Sequence, residues 1–275
     1  MTTKPRVIVL IHGLWVTPSG WEPFRRFYEN LGRQVLAPAW PGIRGSVADM
    51  RRDPSSLHGI GAEEVAAHYA RIIRTLPEPP ILMGHSYGGA ITQVLIDRGL
   101  GAAGVAIDSV PPKGILVLPP STLRTLTPAL LAPTTYRGGT FLFTFKQFWR
   151  AFCNTLSETE ARAAYDTQAI PASGRAILQV ALANLTPHAA TTVNFRNPNR
   201  APLLVIGGEQ DVIMPAALSR KIYRKHRASP GVTDYKEFPG RSHYLIAEPG
   251  WQEVADYALT WAEGKIRETS AALST

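Results

Sequence analysis

A serine stands between two glycines in the segment Gly-His-Ser-Tyr-Gly at positions 84–88. This G-x-S-x-G pattern follows an apolar run typical of a strand, at residues 80–83, and precedes a pattern typical of a helix. Glycines on both sides let a strand and a helix approach closely, and they force the serine into a strained turn that exposes its Oγ. A helix beginning directly after the serine would direct its free N–H groups at a developing negative charge. The pattern indicates nucleophilic catalysis by Ser86.

The same glycines have a second interpretation, as part of a dinucleotide-binding loop. Their spacing, G-x-x-x-G-G, differs from the G-x-G-x-x-G that such a loop requires, and they follow the third predicted strand instead of the first. The nucleophile interpretation is therefore favoured.

A serine hydroxyl needs a neighbouring base, and the sequence contains seven histidines. If the base lies on a loop after a later strand, the candidates are those that follow Ser86 at a distance: His188, His226 and His243. His188 falls in a helical segment, and His226 lies in a run of positive charge on a predicted helix. His243 follows the predicted strand 233–238 through a Pro-Gly turn, at the strand end where open parallel sheets place their sites. We expect His243 to be the base.

The acid that orients this base should follow the preceding strand, predicted at 202–206. There the chain passes through a Gly-Gly turn to Asp211, which we expect to be the acid. Glu209 lies closer to the strand, and Asp108, at the end of the strand before, is a further alternative. A carboxylate at position 211 would also fit a turn residue or a helix N-cap.

An oxyanion hole is expected beside the serine. Gly13 at the end of the first predicted strand lets the backbone turn back, so that the N–H of Leu14 can face the N–H of Tyr87 across a substrate carbonyl oxygen. We expect the aromatic side chains of Trp15, Phe145 and Trp149 to line the substrate pocket. Packing of the core is the alternative role for each of them.

Alternating strand-like and helical patterns predict the scaffold that positions these residues. The fold class expected is α/β: a mostly parallel six-stranded sheet with helices on both faces and a helical cap insertion. Residues 1–110 and 200–275 would form the core domain. Residues 111–199, with Pro-punctuated helical patterns and no strand-like run followed by a crossover helix, would form the cap or lid. Strands are predicted at 7–11, 34–37, 80–83, 104–108, 202–206 and 233–238, and helices at 21–31, 62–76, 87–98, 122–131, 141–152, 158–165, 174–184, 215–226 and 250–267.

Composition excludes several classes of protein. The chain has 275 residues, a formal net charge of +8 and one cysteine, Cys153, so it cannot form an intramolecular disulfide. No apolar run approaches the roughly 18 residues of a membrane span, and the N-terminal segment reads as a strand instead of a signal peptide, so we expect a cytoplasmic protein. The basic residues concentrate on a predicted helix without interleaved aromatics, which is typical of a solvated face and not of a nucleic-acid site.

Four segments together resemble the α/β-hydrolase superfamily: Leu-Ile-His-Gly at 10–13, Gly-His-Ser-Tyr-Gly at 84–88, Gly-Glu-Gln-Asp at 208–211 and Gly-Arg-Ser-His at 240–243. Because the first predicted strand begins at Val7, the chain is similar to the compact members that lack two N-terminal strands, the methyl-ester esterases and hydroxynitrile lyases. Two branches fit poorly. Dehalogenases and epoxide hydrolases have an aspartate at the position of Ser86, and the lyases have a lysine at that of Tyr244.

The resemblance and the three residues imply a serine hydrolase, an esterase that cleaves a carboxylic ester of a small or medium apolar molecule through an acyl-enzyme intermediate. No metal and no organic cofactor are expected, and the partner expected is a small-molecule ester. Hydrolysis of a lactone, an amide or a carbon–carbon bond, and a cofactor-free perhydrolase, are alternatives on the same triad. A ligand receptor with slow turnover is the non-enzymatic alternative. Sequence does not indicate the oligomeric state.

Overall fold

The computed structural model describes residues 6–116 and 119–272. Residues 1–5 and 273–275 of the predicted core, and residues 117–118 of the predicted cap, lie outside the described residues. We call residues 111–199 the insert.

The strands of the described residues are β1 Ile8–Ile11, β2 Val35–Leu36, β3 Ile81–His85, β4 Ala103–Ile107, β5 Thr140–Phe141, β6 Ala172–Ser173, β7 Leu203–Gly208 and β8 Thr233–Phe238. Six of them form one parallel sheet in the order β2-β1-β3-β4-β7-β8. The predicted six-stranded α/β sheet is thereby confirmed, with β3 extending two residues further than predicted, to His85. A separate two-stranded antiparallel ladder joins β5 and β6.

Helices cover both faces of the sheet, as the apolar strand runs predict. Val9 and Ile11 of β1 belong to the core cluster on one face, and Ile8 and Leu10 to that on the other. The helices are α1 Glu22–Asn30, α2 Val47–Arg52, α3 Ala62–Arg74, α4 Tyr87–Asp97, α5 Pro120–Leu131, α6 Pro133–Tyr136, α7 Phe145–Phe152, α8 Glu158–Gln168, α9 Gly174–Ala181, α10 Ala216–His226 and α11 Trp251–Ala272, with 3-10 turns at Pro18–Trp21, Ser55–Leu57 and Ala183–Leu185. The first cluster includes residues of α3, α4 and α10, and the second cluster includes residues of α1 and α11.

The insert lies between β4 and β7 and carries α5 to α9. The helix predicted at 141–152 begins later than predicted, since residues 141–144 are not helical, and the short helices α2 and α6 were not predicted. Phe141 pairs with Ala172 in the small ladder, and α7 begins at Phe145 because the side chain of Thr144 caps the N–H of Gln147. The aromatic residues at helical spacing therefore begin four residues before the helix itself does. Cys153 at the end of α7 is buried.

Among the helices of residues 6–116 and 119–272, none combines the length and apolar content needed to cross a bilayer.

Three histidines are fully enclosed by the core, and burial lowers the pKa of each. The pKa of His12 falls to about 4, that of His226 to about 3, and that of His85 well below its usual value. His226 on α10 donates from Nε2 to the side-chain oxygen of Gln93 on α4, at 2.9 Å. A neutral ring is therefore part of the packing between these two helices.

These pKa values predict a loss of stability on acidification. The unfolded chain takes up protons on histidine near pH 6.5, whereas the folded chain does so only near pH 3 to 4, so the free energy of unfolding falls as the pH drops below about 6.5. Each histidine contributes up to about 1.4 kcal/mol per pH unit. In urea unfolding between pH 7 and 5, the free energy of unfolding of His226→Gln should depend less steeply on pH than that of the wild type. The free energy of His188→Gln, at an exposed position, should depend on pH as in the wild type. Equal slopes for wild type and His226→Gln would contradict this interpretation.

Candidate active site

Ser86 occupies the sharp turn between β3 and α4. Its backbone has φ 57° and ψ −121°, a positive φ that residues with a side chain rarely adopt. The residue is nearly buried, with 6% of its surface exposed. The turn aims the N-terminus of α4 at the serine, as the sequence predicts.

Close backbone approaches on three sides explain the glycines around this turn. A Cβ on Gly84 would lie 2.0 Å from the carbonyl oxygen of Gly88, and one on Gly88 would lie 2.1 Å from that of Ile11. A Cβ on Gly13 would lie 2.7 Å from the Cβ of Ser86 and 3.2 Å from its Oγ. The loop after β1 therefore lies directly against the serine.

His243 and Asp211 meet in a buried hydrogen bond. Nδ1 of His243 lies 2.5 Å from Oδ2 of Asp211, and both side chains are fully buried. The other oxygen of Asp211 accepts the N–H groups of Ile213 and Met214, at 2.8 and 2.7 Å, so the carboxylate also caps its own turn. Nε2 of His243 is buried and has no hydrogen-bond partner among the described residues. The ring is thus fixed from one side and free to exchange a proton on the other.

Asp108 lies at the end of β4 behind this pair, and φ at this residue is 42°. Its Oδ1 accepts the N–H of Gly208 at 2.7 Å. Burial, together with the negative charge of Asp211, raises the pKa of Asp108 well above its usual range. Of the two aspartates considered, Asp211 holds His243, and Asp108 binds the backbone of the neighbouring strand.

Two further histidines fix the loops of the site. His85 donates from Nε2 to the backbone carbonyl of His243, at 2.7 Å, and the two rings lie 4.6 Å apart. Nε2 of His12 accepts the N–H of Trp40 at 3.2 Å, which leaves Nδ1 as the donor to the carbonyl of Gly13 at 2.9 Å. Both histidines pack beside the site.

The two amides that the sequence suggests for an oxyanion hole lie on the segments next to Ser86. Leu14 follows Gly13 in the loop against the serine, and Tyr87 is the first residue of α4. Within the described residues, neither N–H is engaged in a backbone hydrogen bond of a turn or loop. The first N–H groups of a helix have no partner inside it, so the Tyr87 donor is available to a ligand.

The three aromatic residues predicted for the pocket lie in different surroundings. Trp15 is buried, packs on Phe143 at 4.6 Å and borders a small cavity beside His12, Gly13 and Leu14. Phe145 stacks on Trp149 within the insert, at 5.8 Å, and the guanidinium of Arg162 covers the Phe145 ring. Neither Phe145 nor Trp149 borders this small cavity or the larger one described next.

The larger cavity, of about 320 Å³, lies between α5 and the 3-10 turn after α9. Its lining is mainly apolar and includes Met214, whose N–H binds Asp211. Pro111 also lines it and follows Val110, whose N–H binds the backbone carbonyl of Ser86 at 3.0 Å. The wall of this cavity therefore includes one residue that contacts Asp211 and one residue that is next in the chain to a contact of Ser86.

The sequence does not reveal three side chains that support His243 and its loop. The ring of Phe152 packs edge-on against His243 at 5.0 Å, which encloses the imidazole. Buried Glu248 accepts both the N–H and the hydroxyl of Ser242, at 3.0 and 2.7 Å, and so fixes the residue before the histidine. Thr155 of the insert donates to the same carboxylate at 2.6 Å. A glutamate five residues after a histidine, in a loop, carries no recognisable signal.

His85, Asp108 and His243 also offer one potential metal-ligand atom each within 4.8 Å of one another. One nitrogen of each ring is already engaged, by the backbone carbonyl of His243 and by Asp211, and Oδ1 of Asp108 accepts the N–H of Gly208. These hydrogen bonds account for the positions of the three side chains.

The profile of the family described as alpha/beta hydrolase matches residues 8–257. The chain belongs to the alpha/beta hydrolase family. The comparison with curated proteins gives no match for this hydrolase.

Solved structures similar to the hydrolase are distant in sequence. The monoacylglycerol lipase of Paleococcus ferrophilus is 20% identical, with 96% of each chain covered and a TM-score of 0.65. Tomato methylketone synthase I, complexed with 2-tridecanone, is 16% identical over 95% of this chain and 99% of its own, with a TM-score of 0.70. A pyrethroid hydrolase from Sphingobium faniae is 19% identical over 94% and 98%, with a TM-score of 0.62. At these identities the likeness establishes the fold.

The close approaches around Ser86 predict opposite effects of two glycine-to-alanine substitutions in helices. Gly88→Ala should lower the free energy of unfolding by about 2 kcal/mol or more, because its Cβ would meet the carbonyl of Ile11. Gly264→Ala in α11, where a Cβ meets nothing nearer than 4.0 Å, should raise it by about 0.5 to 1 kcal/mol. Urea unfolding of the two variants measures the difference, and a Gly88→Ala protein as stable as the wild type would refute the tight turn.

Proposed function

We propose that this hydrolase cleaves carboxylic esters through an acyl-enzyme intermediate on Ser86. The observation that carries the proposal is the buried 2.5 Å hydrogen bond between Asp211 and Nδ1 of His243, with Nε2 of the same ring unpartnered. This bond selects the tautomer whose Nε2 is an acceptor, which is the form a general base needs.

In the proposed reaction, Oγ of Ser86 attacks the ester carbonyl and Nε2 of His243 takes the hydroxyl proton. The N–H groups of Leu14 and Tyr87 stabilise the negative charge on the carbonyl oxygen. His243 then gives the proton to the leaving alcohol, and water hydrolyses the acyl-enzyme by the same route in reverse. Since the base has to be neutral, activity should fall as the solution is acidified.

Two features support a small or medium apolar ester as the substrate. Both cavities near the site have mainly apolar linings, and the larger, at about 320 Å³, has room for a short chain or a ring. Position 244, where the lyases carry a lysine, holds a tyrosine whose hydroxyl accepts a hydrogen bond from Gln168. The amine that those lyases carry is therefore missing at this position, which favours an ester hydrolase over a lyase.

Covalent labelling tests the nucleophile. A fluorophosphonate should add once to the wild-type protein, at Ser86, and the Ser86→Ala protein should remain unlabelled by intact mass spectrometry. Turnover of p-nitrophenyl esters should fall about 10⁴-fold or more in Ser86→Ala and in His243→Ala. If both variants hydrolyse the ester at the wild-type rate, the proposal is wrong. Stoichiometric labelling without multiple turnover would instead support a receptor.

Two matched substitutions separate the acid from its neighbour. Asp211→Asn should lower kcat about 10⁴-fold, because the amide stabilises the wrong tautomer of His243. Asp108→Asn should keep activity within about tenfold of the wild type, since the amide oxygen can still accept the N–H of Gly208 and the contact between Asp211 and His243 is kept. Steady-state kinetics on a soluble p-nitrophenyl ester gives both values. Equal losses in the two variants would place Asp108 in the catalytic unit and overturn this assignment.

A further inference from the structure

The insert exposes an unusual number of large apolar side chains. Leu116, Leu131 and Leu185 are 79%, 75% and 80% exposed. Outside the insert, Leu31 and Val232 are the other large exposed apolar residues of the described chain. The six in the insert, which we call the leucine surface, are Leu116, Leu123, Leu131, Tyr136, Leu182 and Leu185.

Half of the leucine surface borders the larger cavity. Leu116, Leu123 and Leu185 line that cavity and are at the same time exposed to solvent. Leu131 lies two helical turns after Leu123 on α5, and Leu185 belongs to the 3-10 turn that follows α9, which packs on α5. Three exposed leucines therefore lie around one cavity, and a fourth lies on the helix that carries one of them.

The charge of this part of the chain is one-sided. The insert has eight lysines and arginines and three acidic residues, a net charge of +5 (8 − 3), which is more than half of the formal +8 of the chain. Its acidic residues are confined to α8, and residues 109–157 and 167–208 contain none. Arg124 and Arg137, both exposed, stand next to Leu123 and Tyr136 in the sequence.

We propose that the leucine surface docks the protein onto the surface of an anionic phospholipid bilayer, with the opening of the cavity facing the lipid. Exposed leucines gain by entering the interface between headgroups and acyl chains, and arginines beside them are attracted by acidic headgroups. The protein lies on the membrane and does not span it, which agrees with the absence of a spanning helix among the described residues.

The positive charge of the insert favours an anionic lipid surface over a second copy of the chain or a nucleic acid as the binding partner. A second copy would bring together two inserts, each of net charge +5, so repulsion would oppose the apolar contact. A nucleic acid would satisfy the arginines and leave the leucines exposed, and the surface offers one aromatic ring, Tyr136, for stacking. An anionic lipid surface satisfies both the charge and the apolar side chains.

Vesicle flotation tests the proposal with the full-length protein. The wild type should float with vesicles of phosphatidylcholine mixed with phosphatidylglycerol, bind vesicles of phosphatidylcholine alone at least about fivefold less, and lose binding to the mixed vesicles at high salt. The double variant Leu131→Ser and Leu185→Ser should bind the mixed vesicles at least about tenfold more weakly than the wild type. So should Arg124→Glu with Arg137→Glu, at low salt.

Leu31→Ser and Val232→Ser are the matched controls, because they remove exposed apolar side chains outside the insert. They should bind as the wild type does, and thermal unfolding should show that all variants are folded. Ser86→Ala should also bind as the wild type does, so a failure of the proposed catalysis and a failure of docking are distinguishable.

Several results would overturn the docking proposal: wild-type protein that stays unbound with the mixed vesicles at low salt, or control variants that weaken binding as much as the leucine-surface variants. Sedimentation without vesicles gives a further decisive result. If the wild type is a dimer and Leu131→Ser with Leu185→Ser is a monomer, the leucine surface is an interface between copies of the chain.

Discussion

The site depends on one strained backbone position. Ser86 is held at a positive φ between a strand and a helix, a conformation that costs on the order of 1 to 3 kcal/mol and persists only where its surroundings determine it. Here the surroundings are backbone carbonyls and a neighbouring loop so close that side chains on Gly84, Gly88 or Gly13 would collide. The same contacts that hold the turn also bring the Leu14 loop and the first N–H of α4 to the serine. Strain and preorganisation are therefore two aspects of one packing arrangement.

The sequence predicts the parts of the structure that depend on local patterns. Apolar strand runs alternate with helical periodicity, so six strands and their order along the chain could be recognised, and the glycines around Ser86 mark the turn because no other residue fits there. The candidate residues Asp211 and His243 could be chosen because parallel strands bring their carboxyl ends to one edge of the sheet. The structure brings these two into contact, and their catalytic roles stay predictions.

Contacts between distant segments could not be predicted in this way. The raised pKa of Asp108 results from burial beside a second carboxylate, and the residues next to Asp108 in the sequence do not reveal that burial. Phe152 lies against His243 because of how the insert packs, whereas Phe145 and Trp149, similar in sequence, stack on each other instead. Aromatic spacing identifies a packed helix, and only the three-dimensional arrangement decides which ring faces the site.

The short segment after α7 has a consequence for exchanging parts between relatives. Asn154 donates to the backbone carbonyl of Gln210, beside Asp211, at 2.9 Å, and Thr155 donates to Glu248, which fixes the loop of His243. Two consecutive residues of the insert thus hold both loops that carry Asp211 and His243. A chimaera that replaced the whole insert with that of a relative would remove the supports of the core's own loops. The exchangeable unit is therefore smaller than the insert: its boundaries have to leave residues 154 and 155 with the core.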